Sequence, residues 1–391
     1  MKIFFLTPRV PYPIDKGDKL RAFYQLKYLS KSHDIHLFAI DENCSLPESY
    51  SVLNKYCKSV NVVNLNRWRI FLNLFFGLFR KIPFQTSYYY SKSIKSKIEN
   101  SISEIQPDLI FCQLIRSAEF LIDIKQIPKA IDYVDVISKG LERRISASNL
   151  FWKMILKQEY KRAVEYEEHA FNVFNKSIII TDEDRNNLLF TGKENVEVLP
   201  NGIDMDFFKP LDSEKKYDLF FSGNLNYPPN VNAAEYIAYE LLPLLQTVCP
   251  DIRILIAGAS PNKKVLSLQS KNISVKGWVD DIRDYYKQSK IFLAPMQIGT
   301  GLQNKLLQAM AMNMPCVVSE LTQRGLSPSD KEIVLVAKDP KEYVKLISKL
   351  LSDSNYANSI AKNGYNYVKE KYNWENIILN LDGMLKSLIK S

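Results

Sequence analysis

A strand-helix alternation that runs through the chain twice limits its fold more than any other feature. Short apolar runs at Ile3–Leu6, Ile35–Ile40, Val60–Val63, Leu109–Cys112, Ala130–Tyr133, Ser177–Thr181 and Val196–Leu199 are separated by helix-period stretches such as Lys19–Ser30, Ser91–Glu104 and Asn149–Phe174. Strands without polar alternation are buried on both faces, and the helices between them supply the crossovers that a parallel sheet needs. The alternation then restarts with Leu219–Ser222, Ile252–Ala257, Ile273–Val275, Ile291–Ala294, Cys316–Val318 and Ile333–Val336. The expected fold is α/β: two doubly wound, Rossmann-like parallel-sheet domains facing across a cleft.

At 391 residues the chain is too long for one ordinary core. Between the two sets of strands, Pro200-Asn201-Gly202 is turn chemistry and Pro210 to Lys216 is polar. The expected domains are 1–208, on the acceptor side, and 209–372, binding the ligand, with a helix over 373–391 packing back toward the first. Paired domains of this kind bind ligands at the carboxyl ends of their strands.

The opening MKIFFLTPRVPYP is read as a strand rather than a secretory signal, because its apolar run is short and Pro8 follows it. Cys44, Cys57, Cys112, Cys249 and Cys316 are odd in number and widely spaced, which points to buried thiols in a reducing cytoplasm. The formal charge of +9 suits anionic partners; without a helix-turn-helix or zinc-finger pattern, nucleic acid is not expected. Arg67–Lys81, RWRIFLNLFFGLFRK, is too short to span a bilayer. It fits either a helix in the interface at the inner face of the cell membrane or a helix packed on the first sheet. His33, His36 and His169 are read as structural, and Asp182-Glu183-Asp184 as a helix start rather than a metal site.

Chemistry concentrates at residues 291–320, IFLAPMQIGTGLQNKLLQAMAMNMPCVVSE. A strand ends near Pro295, Gly299-Thr300-Gly301 follows, and a helix is expected from about Leu302, so unpaired N–H groups and the positive helix end make an anion site. Leu302, Leu306, Ala309 and Met310 form its apolar stripe, while Lys305 and Gln308 share a polar face. An ammonium at 305 suits a diphosphate, and an amide at 308 suits a ribose hydroxyl pair.

The run GTGLQNKLLQAMAMNMPCVVS resembles the donor-binding segment of retaining GT-B glycosyltransferases of family 4, in a subgroup whose loop reads G-T-G-x-Q-N-K before a helix of the type LLEAMAM. PYPIDKGDKLRAF, YVDVISKGLERR, LPNGIDMDFFKP, FFSGNLNYPPNVNAAEY and VKGWVDDIRDYY are similar to segments of the same group, in the same order. The resemblance implies a metal-independent enzyme without a cofactor, taking a nucleotide sugar as donor and a glycan or lipid-linked acceptor. It places the donor along Thr300, Gly301, Leu302, Gln303, Asn304 and Lys305, the diphosphate on Gly301, Asn304 and Lys305, and the ribose at Gln308. Gly277, Trp278 and Val279 would border the base, Gly223 and Asn224 the phosphates, and Gly17 would approach from the other domain.

Two departures stand out. The pair of glutamates eight positions apart, common in the family, is Thr300 and Gln308 here, and the Arg and Lys pair after the second domain's first strand is missing from GNLNYPPN. Candidate catalytic residues are Lys305, Asp135 and Arg116, with Asp132, Arg143 and Arg144 as further acceptor-side candidates. Three classes of function fit: sugar transfer in cell-surface polysaccharide synthesis, a weakened or inactive binding subunit, and a sugar-nucleotide epimerase of the same fold. A nicotinamide dehydrogenase does not fit, because no G-x-G-x-x-G opens the first helix.

Overall fold

The computed structural model describes residues 1–41, 47–65, 67–146, 148–298, 302–326, 329 and 332–390. Gly299, Thr300, Gly301 and Cys44 lie outside them. The chain divides into two compact units, Met1–Pro200 with Ile377–Ser391, and Asn201–Asn376.

The first unit is built on β1 (Lys2–Thr7), β2 (Asp34–Asp41), β3 (Ser59–Asn64), β4 (Leu109–Gln113), β5 (Lys129–Asp132), β6 (Lys176–Ile179) and β7 (Glu197–Val198). Their spatial order is β3-β2-β1-β4-β5-β6-β7, and every neighbouring pair is parallel. The second unit holds β8 (Tyr217–Ser222), β9 (Ile254–Ala257), β10 (Ile273–Lys276), β11 (Ser289–Ala294), β12 (Cys316–Ser319) and β13 (Leu335–Ala337), in the order β10-β9-β8-β11-β12-β13 and again parallel. The strand order reverses between β1 and β4 in one unit and between β8 and β11 in the other. Helices leave these central strands toward opposite faces there, opening a crevice at the carboxyl edge.

Period-two alternation explains the layers of the second unit. Leu219, Phe221, Ile254, Ile256, Ile291 and Leu293 enter one core, with Ile237, Leu245, Tyr343 and Ile347 from the helices covering that face. The intervening Phe220, Leu255, Ala257, Phe292 and Ala294 enter the other, against Tyr286, Leu306, Met310 and Tyr367. Burying each such large apolar side chain contributes about 1.5–3 kcal/mol. Helix starts follow local capping chemistry: Asn149 Oδ1 accepts from Trp152 N at 3.2 Å and Asp339 Oδ1 from Glu342 N at 2.9 Å.

All thirteen strands fall where the apolar runs place them, with small shifts at their ends. Tyr133 lies beyond β5, and Thr181 beyond β6 caps the helix Asp182–Asn187, its hydroxyl accepting from Asp184 N at 3.0 Å. Ile333 precedes β13.

Two buried acids shape the first unit. Arg21 and Asp132, both fully enclosed, pair at 2.6 Å, and Gln25 Nε2 donates to the same carboxylate oxygen at 2.7 Å. Glu167, in the helix Leu150–Val173, accepts from Ser138 N at 3.0 Å and Ser138 Oγ at 2.7 Å, and so caps the helix Ile137–Ser146 from outside. Burial pushes its carboxyl up to about 7 despite those bonds. A carboxyl raised on folding favours the fold fully below its unfolded value, and that contribution is lost as pH rises through 7. Glu167→Gln should therefore flatten the fall in stability between pH 4.5 and 8 by on the order of 2–3 kcal/mol, measured by urea unfolding; parallel curves for the two proteins would contradict this.

Candidate functional site

In the second unit, four of the residues singled out in the sequence, Gly223, Asn224, Lys305 and Gln308, lie at the reversal between β8 and β11. The chain leaves β8 through Ser222, Gly223 and Asn224, and an added Cβ on Gly258, beyond β9, would lie 1.8 Å from the Gly223 carbonyl oxygen. Gly258 also has φ +152, so only glycine lets these two strand ends close together. A Cβ on Gly223 would strike the side chain of Asn230 at 2.7 Å.

Asn230 joins this turn to the next element. Its Nδ2 donates to Asn224 O at 2.9 Å, and its Oδ1 receives Lys305 Nζ at 2.5 Å. Lys305 is the second residue of the helix Asn304–Ala311, whose N-cap, Gln303, makes no side-chain cap. The helix starts two residues later than the sequence pattern places it. Nor does Lys305 lie on a solvated polar face: it is 9% exposed, its Nζ 3.5 Å from Met296 Sδ and 4.5 Å from the centre of the Phe221 ring. With no carboxylate beside it among the described residues, burial brings its ammonium down to about 7. Asn304 Oδ1, one residue earlier, is enclosed and has no hydrogen-bond partner among the described residues.

Gln308 is fixed by a residue that sequence reasoning overlooked. Tyr286, from the helix Arg283–Lys287, is fully buried, and its hydroxyl lies 3.0 Å from Gln308 Oε1, 3.1 Å from Lys305 O and 3.2 Å from Ser222 Oγ. The hydroxyl has one proton to give, and burial pushes its pKa up, so it stays a neutral donor. The carbonyls at the end of β11 are also answered: Thr322 Oγ1 donates to Ala294 O at 2.9 Å and Ser319 Oγ to Met296 O at 2.7 Å. Beyond β10, an added Cβ on Gly277 would make ordinary contact with Pro261 at 3.9 Å, Trp278 is 72% exposed and Val279 is half-buried. Leu302 is half-buried against the core below.

In the first unit a second group gathers at the ends of β1, β4 and β5. Arg9 donates to Asp18 at 2.6 Å, Gln113 Nε2 donates to Asp18 O at 2.8 Å, and Asp15 pairs with Lys19 at 2.9 Å. Neither aspartate caps the helix Gly17–Leu29, and a Cβ on Gly17 would meet nothing within 4 Å. Past β5, Asp135 N donates to Tyr133 O at 2.8 Å around Val134, whose φ of 66 is strained for a β-branched residue. Desolvation pushes the Asp135 carboxyl up, Arg116 pulls it down, and the Asp18 carboxylate pushes it up again. Asp135 is nonetheless exposed. Arg116 Nε is enclosed without a hydrogen-bond partner among the described residues.

Asp132 is removed from the acceptor-side candidates, because Arg21 and Gln25 consume a carboxylate that is already fully buried. Arg143 and Arg144 sit exposed in the last turn of the helix Ile137–Ser146. Asp182 pairs with Arg185 at 2.6 Å and Asp184 with Thr181, as first-turn residues of a capped helix. His33 is paired with Asp382 at 2.6 Å, and His36 Nδ1 lies 2.9 Å from Ser59 Oγ. Among the described residues no cluster of histidine, cysteine and carboxylate groups could hold a metal ion.

Two parallel sheets that each reverse order at a ligand-sized edge define the GT-B architecture, and Anabaena Alr3699/HepE in complex with UDP shares it, with TM-score 0.69, 14% identity, and coverage of 99% of this chain and 100% of that one. Residues 216–353, in the second unit, match the family described as Glycosyl transferases group 1. An uncharacterized 44.6 kDa protein in the cps region of Klebsiella pneumoniae is 23% identical over 97% of this chain and 98% of its own length. The UDP-Gal:alpha-D-GlcNAc-diphosphoundecaprenol alpha-1,3-galactosyltransferase of Escherichia coli is 21% identical over 46% of this chain and 53% of its own.

Asn230, Tyr286 and Gly258 were missed because their roles are long-range; only the A-G-A-S turn after β9 marks Gly258 in the sequence. A lysine whose pKa falls on folding favours the fold above its unfolded value, and that contribution is lost as pH falls through 7. Relative to wild type, Lys305→Met should gain stability as pH is lowered from 10 to 7, at up to about 1.4 kcal/mol per pH unit. Chemical unfolding across that range measures it, and a constant difference would contradict the enclosed ammonium.

Proposed function

We propose that the protein is a retaining glycosyltransferase that moves a sugar from a nucleotide-diphosphate donor to a glycan or lipid-linked acceptor in cell-surface polysaccharide synthesis, without a resident metal ion or cofactor. The observation that carries this reading is the enclosed Lys305 ammonium, held by Asn230 at the edge of the Gly223-Asn224 turn. A diphosphate beside it would supply the negative charge that the protein itself withholds, and would restore the ammonium's proton. The start of the helix Asn304–Ala311 adds its N–H groups and positive end.

On this reading the diphosphate also meets Gly301 and Asn304, with the flanking Thr300, Leu302 and Gln303 completing the loop. The base lies by Gly277, Trp278 and Val279. As the nucleotide leaves, charge develops on the oxygen released, and Lys305 stabilises it while the acceptor hydroxyl attacks the same face of the sugar. Asp135 and Arg116 hold the acceptor: a carboxyl raised from its usual range accepts a hydroxyl proton more readily, and the Arg116 charge beside it favours the ionised base.

The relatives support the acceptor class, one by its cps region and the other by its diphosphoundecaprenol-linked substrate. The structural relative that binds UDP makes a uridine nucleotide the first donor to try. Buried Cys57, Cys112 and Cys316 are unpaired thiols, which supports a reducing, cytoplasmic setting. The exposed aromatic helix Arg67–Gly77 supports peripheral contact with the inner face of the membrane.

One observation favours a second reading, a weakened or inactive binding subunit. Gln308 is neutral and its Oε1 lies 3.0 Å from the Tyr286 hydroxyl, so the amide offers a ribose a weaker acceptor than the charged oxygens of a carboxylate would. Incubation with UDP- and GDP-linked sugars and an undecaprenyl-linked acceptor should give transfer from at least one donor, and failure of every donor to bind would reject both readings. Gln308→Glu should bind that donor about tenfold more tightly, with equal or higher turnover. Binding without turnover in both proteins would establish the subunit instead.

A further inference from the structure

The helix Arg67–Gly77 is packed the wrong way round for a core element. Ile70, Asn73 and Gly77, at helical spacing, form its inner face: Asn73 Nδ2 donates to Tyr88 O at 3.0 Å, and Gly77 sits so close to Ser87 that an added Cβ would lie 2.7 Å from it. Its aromatics face the other way. Trp68, Phe71, Phe75, Phe76 and Phe79, in the helix and just past it, are between 50% and 79% exposed. An inward amide and an outward row of aromatic rings oppose the pattern of a helix that packs on its own sheet, so an outside surface must cover it.

A second apolar knob stands nearby in the same unit. Leu150, Phe151, Trp152 and Met154, at the start of the helix Leu150–Val173, are between 54% and 80% exposed. Arg162 of that helix donates to Leu78 O at 3.1 Å and lies 3.5 Å from Gly77 O, which ties the end of the aromatic helix to it. Ten helical residues separate Arg162 from Trp152, roughly 15 Å along the axis. Cations accompany both knobs. The sequence from 67 to 81 has no carboxylate and includes Arg69, Arg80 and Lys81; around the second knob, the sequence from 143 to 157 likewise has no carboxylate and includes Arg144, Lys153 and Lys157.

We propose that these two knobs form one docking surface for an anionic lipid bilayer, with the aromatics entering the headgroup region and the flanking cations meeting lipid phosphates. No helix among the described residues is long and apolar enough to cross a membrane, so the contact is interfacial. Charge complementarity selects this occupant over a second copy of the chain, because two such basic surfaces repel each other. The proposal extends the inner-face contact above and rests on none of the donor chemistry.

Co-sedimentation of the full chain with vesicles tests it. Binding to phosphatidylglycerol-containing vesicles should exceed binding to pure phosphatidylcholine at least tenfold. The pair Phe71→Ser with Phe75→Ser and the pair Phe151→Ser with Trp152→Ser should each reduce it at least tenfold, while UDP affinity and thermal midpoint stay as in wild type. No vesicle binding by wild type, or binding that neither pair weakens, would overturn the proposal. If only the first pair matters, the shared surface is overturned and contact through the aromatic helix alone stands. A dimer in ultracentrifugation that both pairs dissolve would identify a surface between copies instead.

Discussion

The ammonium of Lys305, enclosed among Asn230, Met296 and Phe221, sets the terms for the second unit's ligand edge. A buried cation without a carboxylate partner is costly, and burial alone brings its pKa to about 7. Asn230 supplies the oxygen it rests on and also fixes the Gly223-Asn224 turn, so the cation and the turn form one rigid piece. Gly223 and Gly258 leave the space this needs, and Tyr286 braces the helix behind it by reaching Lys305 O and Gln308. Such a cation is stable only if something else gains from it. On the proposed function, that gain is the charge of a diphosphate.

The first unit arranges its buried and exposed acids by different contacts. Its central ion pair, Arg21 with Asp132, lies inside and serves the fold. Asp135, two turns of chemistry further along, lies past a strained Val134 and stays accessible, with Arg116 and Asp18 in its field. The two aspartates are three residues apart and look alike in the sequence. What separates their roles is which one the helix Gly17–Leu29 reaches across to meet.

Much of the fold was legible because parallel strands buried on both faces leave uninterrupted apolar runs, such as IFFL and ILIA, that no surface element imitates. The site was legible only where it is local. Lys305 and Gln308 could be named from the helix they share, but the burial of Lys305 depends on Asn230, 75 residues away, and the hold on Gln308 depends on Tyr286, 22 residues away. Neither partner carries a mark of its role in the sequence. Residues 67–81 show a related limit: composition fits equally a packed helix and an interfacial one, and nothing in the run marks Asn73 and Gly77 as the residues turned inward.

A crystal structure with UDP bound tests the central claim most directly. The account expects an oxygen of the pyrophosphate within about 3 Å of Lys305 Nζ, beside the Gly223-Asn224 turn, at ordinary charge-assisted hydrogen-bond length. A nucleotide bound away from the β8–β11 edge, or a pyrophosphate that leaves Lys305 on Asn230 alone, would contradict it.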